Sequence, residues 1–353
     1  MRKSRLRQTA IRFAAGGAFA LLAWLSLEAL LHAGFFAQRG YWLFSGRDGL
    51  RVPYAKPVAD RRQYALRENA VSGLYAINGE GFRGPNFRAD DNRPVLCVLG
   101  DSAPFGIGVA DDQTFPAHLQ QILDQRGFRY RVLNAGVPSY NLRQSVDRWE
   151  FDVRPRYSCA AIVLNAANDV SLIDHYREKW TPDVTWADVR FGIDGPERSA
   201  VLHFAKAAIV AFSARAAPNG AYPVHALETL RATFSAALDR IAASGIPVLL
   251  LPVNPCYYGD QPIRDPANSE PCKNYRDYVQ TGEDWDDLIR RVNALLRRTA
   301  EEKKVGYLDA VALLDRAGRT GKFVDFIHFS DAGNREIAVA IADALEQGRL
   351  IAR

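Results

Sequence analysis

The sequence predicts an α/β fold, a parallel five-strand sheet covered by helices on both faces, behind one N-terminal membrane-crossing helix. Two observations carry the sheet. Five short runs are continuously apolar, as strands buried on both faces are. Helical apolar periodicity falls between them, and strand–helix alternation builds a parallel sheet. A third observation, a long apolar segment behind a cluster of positive charge, carries the membrane helix.

That cluster comes first. Arg2, Lys3, Arg5, Arg7 and Arg12 precede Phe13–Phe36, 24 residues interrupted by Glu28 and His32 as the only strongly polar side chains. At about 1.5 Å per residue the segment exceeds a hydrocarbon core of roughly 30 Å. Its ten Leu and Phe side chains, at about −0.3 to −0.6 kcal/mol each, offset a penalty of roughly 3 kcal/mol for one acid. The positive flank stays cytoplasmic, which places residues from about 40 onward outside. A cleaved signal peptide has a shorter apolar stretch, about 7–15 residues, and a small-residue cleavage site; neither is evident here. The expectation is an uncleaved, single-pass signal anchor: residues 1–12 as a cytoplasmic tail, 13–36 in the inner membrane and the rest periplasmic. Setting the five N-terminal charges aside leaves 40 basic residues against 40 acidic ones. No basic excess remains on the folded part for a nucleic-acid partner.

Residues 37–92 mix Gly, Arg, Pro and aromatic residues without sustained periodicity and read as a lead-in lying against the domain. They include the turn-rich Asn78-Gly-Glu-Gly-Phe-Arg-Gly-Pro85. The domain, 93–353, follows with strands expected at Val95–Leu99, Tyr130–Leu133, Ala160–Leu164, Ile246–Leu251 and Val305–Leu308. Helices are expected at Phe115–Gln125, Leu142–Phe151, His225–Ala243, Trp285–Glu302 and Asp331–Gln347. Residues 172–222 are too long for a connection and read as an insertion over one edge of the site, with a helical stretch near Val201–Ala214. Trp180, Trp186, Tyr257 and Tyr258 could stack on sugar rings or fill a core. Of the four cysteines, Cys97 and Cys159 lie in apolar runs and read as small core residues. Cys256 and Cys272 flank a polar loop and suit a disulfide worth roughly 3 kcal/mol.

The chemistry-bearing residues gather at strand ends. Ser102 follows the first apolar run at Gly100-Asp-Ser102, so it lies at the carboxyl edge of a parallel sheet, where such folds bind ligands. Asp325 and His328 stand three residues apart just before the last helix, close enough for the carboxylate to hold the imidazole Nδ1 and leave Nε2 facing a hydroxyl. A serine hydroxyl becomes a nucleophile only with such a base and such an orienting group. Gly136 follows the second strand and Asn168 the third, offering an N–H and a carboxamide to an oxyanion. The pairs Asp90-Asp91, Asp111-Asp112 and Asp286-Asp287 read as solvated or dipole-complementing acids rather than metal ligands. Gly106-x-Gly108 lacks the full dinucleotide fingerprint, so no cofactor or metal is expected.

These four blocks, Gly100-Asp-Ser102, Gly136, Asn168-Asp169 and Asp325-x-x-His328, resemble the SGNH/GDSL hydrolase superfamily in order and position over roughly residues 93–347. The stretch Phe105-Gly-Ile-Gly-Val109 through Thr114-Phe-Pro116 is similar to membrane-anchored bacterial members associated with cell-surface polysaccharides. The resemblance implies a flavodoxin-like three-layer sandwich with Ser102 as nucleophile, His328 as acid and base, and Asp325 as its orienter. It implies an oxyanion hole of the Ser102 and Gly136 N–H groups and the Asn168 side chain. The expected activity is an esterase removing acetyl or short acyl groups from a carbohydrate or other small ester. An O-acyltransferase using the same intermediate and a non-catalytic surface assembly protein are the alternatives. The oligomeric state is left open.

Overall fold

The computed structural model describes residues 2–39, 54–88, 90–165, 168–176, 178, 180–186, 199–202, 204–205, 222–256 and 282–352. The chain divides into two compact units, Met1–Val52 with Ala187–Pro218, and Pro53–Trp186 with Asn219–Arg353.

In the first unit, α1 (Arg2–Arg39) is one continuous helix. Ala15–Gln38 within it is long and apolar enough to cross a membrane, and many of its large side chains, Phe19, Leu22 and Leu30 among them, are exposed. Glu28 interrupts that surface with its carboxylate satisfied. It accepts hydrogen bonds from Ser199 Oγ at 2.9 Å, from the Val201 N–H at 3.1 Å and from the Ala200 N–H. A carboxylate on an apolar helix is costly unless paired in this way.

The second unit is built on five parallel strands: β5 (Val95–Leu99), β6 (Arg131–Asn134), β7 (Cys159–Asn165), β8 (Val248–Leu251) and β9 (Gly306–Tyr307). Their order is β6-β5-β7-β8-β9. This is the flavodoxin-like order, and it reverses direction between β5 and its two neighbours. Every residue of β5 and β8 is buried, as are Ile162, Val163 and Leu164 of β7, so these apolar runs mark strands covered on both faces, whereas the edge strands β6 and β9 are partly exposed. Helix α3 (Phe115–Gln125) packs with α9 (Asp331–Gln347), which follows α8 (Ala310–Ala317), and α6 (Val224–Ala242) packs with both α4 (Leu142–Arg148) and α7 (Gly282–Lys303), giving three layers. Local caps set the helix starts. Thr114 Oγ1 accepts the Ala117 N–H, and Asn141 with Gln144 forms a reciprocal capping box.

Two features differ from the sequence reading. Cys97 and Cys159 are not free core residues: they form a disulfide between neighbouring β5 and β7, with Cα atoms 5.7 Å apart. Two cysteines 62 residues apart reveal no pairing until the strand order makes them neighbours. Cys256 is also disulfide-bonded; Cys272, its expected partner, lies outside the described residues, as do Tyr257 and Tyr258. Second, the lead-in has structure of its own. The pairs β1 (Ala55–Pro57) with β2 (Tyr64–Leu66) and β3 (Val71–Ser72) with β4 (Tyr75–Ala76) are antiparallel. The lead-in is stitched to the sheet unit by Tyr64 Oη donating to Pro138 O at 2.9 Å, by Gln144 Nε2 to Arg62 O at 2.8 Å and by Arg148 to Gly81 O at 2.7 Å. Trp180 and Trp186 are buried.

Candidate active site

The end of β5 turns at Gly100, which holds φ at +144°. A Cβ there would come within 2.6 Å of the Asn165 carbonyl oxygen, so both the conformation and the space demand glycine. Asp101 is buried and caps the next turn, accepting the Ala103 N–H at 2.9 Å. Ser102 is therefore the first residue of the one-turn helix α2 (Ser102–Phe105). At that position its N–H has no carbonyl of its own helix to bond.

The loop carrying Asp325 and His328 is pinned on both sides. Phe323 bridges Phe329, the Val324 N–H donates to His328 O at 2.9 Å, and Ser330 caps α9. From the segment after β8, the Cys256 N–H donates to Phe326 O at 2.8 Å. Across this loop Asp325 Oδ2 lies 2.6 Å from His328 Nδ1, while Asp325 Oδ1 accepts the Ile327 and His328 N–H groups at 2.9 and 2.8 Å. Burial on its own would raise the Asp325 pKa. The His328 charge and these hydrogen bonds outweigh it and hold the carboxyl below its ordinary value. His328 Nε2 lies 2.7 Å from Ser102 Oγ. Two residues 226 positions apart are thus within one proton transfer.

The remaining predicted residues adjoin this line. The ladder from β5 to β6 continues beyond the strand, with the Val137 N–H donating to Gly100 O at 3.1 Å, so Gly136 lies beside Asp101. A Cβ on Gly136 would stand 2.4 Å from the Phe105 nitrogen, so glycine is required by close approach. Its N–H, however, donates to Asn134 Oδ1 at 3.1 Å. That bond engages the donor expected for an oxyanion, a competition the sequence did not reveal. Asn168, the first residue of α5 (Asn168–Tyr176), donates one Nδ2 hydrogen to Tyr140 O at 3.2 Å. The second hydrogen of that carboxamide is a separate donor. Asp169 is buried and accepts the Leu142 N–H at 2.8 Å. Burial first, and then nearby Asp101, push its pKa up to about 6 despite that bond.

A serine, an imidazole and a carboxylate in series can carry out acyl transfer through a covalent intermediate. The GDSL-like Lipase/Acylhydrolase family profile matches residues 98–336, which is more than half of the chain. The chain belongs to that family. It is accordingly an acylhydrolase, an enzyme acting on carboxylic esters. No curated protein matches this acylhydrolase. Solved structures similar to it include a lipase/acylhydrolase from Enterococcus faecalis, at 15% identity and TM-score 0.46 over 74% of this chain and 98% of that one. An α/β hydrolase enzyme, LAE5, from the metagenome of Lake Arreo has 18% identity and TM-score 0.45 over 73% and 97%. The acetyl xylan esterase AlAXEase has 15% identity and TM-score 0.44 over 71% and 99%.

One contributor escaped the sequence reading. Asp111, read there as a solvated or dipole-complementing acid, does stand in the first turn of a short helix, and it also accepts from Arg83 Nε at 2.7 Å and from the Ala76 N–H at 3.1 Å. The turn-rich Asn78–Pro85 stretch was a signal of tight local geometry, but nothing in it named a partner.

Proposed function

We propose that this acylhydrolase is a membrane-tethered serine esterase that removes acetyl or short acyl groups from a carbohydrate or other cell-surface ester. Ser102 is the nucleophile, His328 the base and then the acid, and Asp325 the group that orients it. The observation carrying this reading is the unbroken line from Ser102 Oγ through His328 to Asp325, at 2.7 and 2.6 Å. Ser102 Oγ attacks the ester carbonyl as His328 Nε2 takes its proton. The oxyanion is met by the Ser102 N–H, by the second Asn168 amide hydrogen and by the Gly136 N–H once it is shared. His328 returns the proton to the departing alcohol, and water releases the acid by the same route.

The apolar segment Ala15–Gln38 supports a single-pass anchor. The Cys97–Cys159 bridge supports a periplasmic location for the sheet unit, because disulfides persist in oxidising compartments. The substrate class is tested by measuring acid released from nitrophenyl esters of increasing chain length and from acetylated oligosaccharides. Release confined to short acyl groups, lost in Ser102→Ala, is expected. Turnover that requires a glycan acceptor and yields little free acid would replace the esterase by an O-acyltransferase.

A further inference from the structure

We propose that Arg83 is a positioning residue for Ser102, a buried guanidinium supplied by the lead-in that sets where the nucleophile's turn sits. The inference rests on Ser102 being the nucleophile. Helix α2 is four residues long, and one helical turn neither sustains itself nor satisfies its own last carbonyls. Its geometry must be imposed from outside.

Arg83 imposes it. Its side chain is fully buried, with Nη1 donating to Phe105 O and Gly106 O, Nη2 to Val109 O at 2.7 Å, and Nε to Asp111 Oδ1 at 2.7 Å. The guanidinium carbon lies 4.7 Å from the ring centres of both Tyr75 and Phe105. The Arg83 backbone, meanwhile, bridges Asn134. The Asn134 side chain donates to Pro104 O at 2.8 Å and accepts the Gly136 N–H. The carbonyls at 104, 105, 106 and 109 are thus held by two residues that pair with each other, and the same pair reaches an expected oxyanion donor. A planar five-donor fork serves these diverging acceptors; a lysine ammonium does not. Arg83 also lies outside the residues that match the family profile. The lead-in is therefore part of the catalytic apparatus and more than a tether.

The test uses the full-length protein in detergent and compares wild type with Arg83→Ala, Arg83→Lys and Asp111→Asn. For each, kcat and KM on nitrophenyl acetate, the rate of Ser102 labelling by a fluorophosphonate, and Tm are measured. A displacement of about 1 Å costs on the order of 100-fold in rate. The Arg83 variants should accordingly lose roughly 10- to 100-fold in kcat and labelling rate, with KM changed less than about threefold. Added methylguanidinium should restore part of the labelling rate of Arg83→Ala and none of that of Arg83→Lys. If Arg83→Ala does not fold, Asp111→Asn carries the test, with a smaller loss in labelling at unchanged Tm. Folded variants that label within about twofold of wild type overturn the role of Arg83 alone, as does a loss that only tracks the unfolded fraction and is not rescued. Wild type that fails to label at Ser102 overturns the nucleophile assignment, and this inference with it.

Discussion

Asp325 is held between opposed influences. Burial makes its charge costly, yet His328 and two backbone N–H groups keep it ionised. Replacing it with Asn keeps the shape but removes the charge that, in the proposed mechanism, fixes the imidazole tautomer. In the proposed mechanism kcat should then fall by about 10³- to 10⁴-fold, with the circular dichroism spectrum unchanged; a loss below tenfold would remove Asp325 from its role. Asp169 is the opposite case. Its folded pKa, about 6, lies above the ordinary carboxylate value of 3.8. The folded state therefore binds the proton more tightly, and stability falls as pH rises from about 4 to about 6 and levels off above. The loss is roughly 3 kcal/mol on full ionisation. Asp169→Asn keeps an acceptor for the Leu142 N–H without the charge. Its urea midpoint should gain on wild type across that window, and parallel curves from pH 4 to 7 would refute the shift.

The strands and the long helices are where the sequence reading and the structure agree. Val95–Leu99, Phe115–Gln125 and Asp331–Gln347 are observed as expected, because burial on both faces and amphipathic periodicity are written locally. Helix ends follow from local caps such as Ser330. The pairing of Cys97 with Cys159 is not local; it depends on β5 and β7 being neighbours. For a closure of 62 residues, chain entropy places its contribution at about 4 kcal/mol. A Cys97→Ala/Cys159→Ala double variant should lose about that much in urea unfolding. A loss under about 1 kcal/mol would mean that native strain cancels the gain. The lead-in hairpins escaped notice because strands of two and three residues are too short to show a period.

In the sheet unit, the strand order reverses beside β5, which gathers the loops after neighbouring strands at the carboxyl edge. Ser102, Gly136 and Asn168 follow three adjacent strands there, and the loop before α9 delivers His328 to the same edge. An uncleaved anchor predicts that the full-length protein stays with the membrane fraction through an alkaline carbonate wash and is digested by protease in spheroplasts but not in intact cells. Recovery in the carbonate supernatant would indicate a cleaved signal instead.

The strands, the long helices, an apolar N-terminal segment and the candidate serine, imidazole and carboxylate are legible in the sequence, because each is encoded within a few consecutive residues. Tertiary contacts alone reveal that Cys97 meets Cys159, that the Gly136 N–H is engaged by Asn134, and that Arg83 holds the carbonyls of Phe105 and Gly106 in the turn after Ser102. Those facts depend on groups far apart in the chain competing for the same donors, acceptors and space. Such competition has no periodicity for a sequence to display.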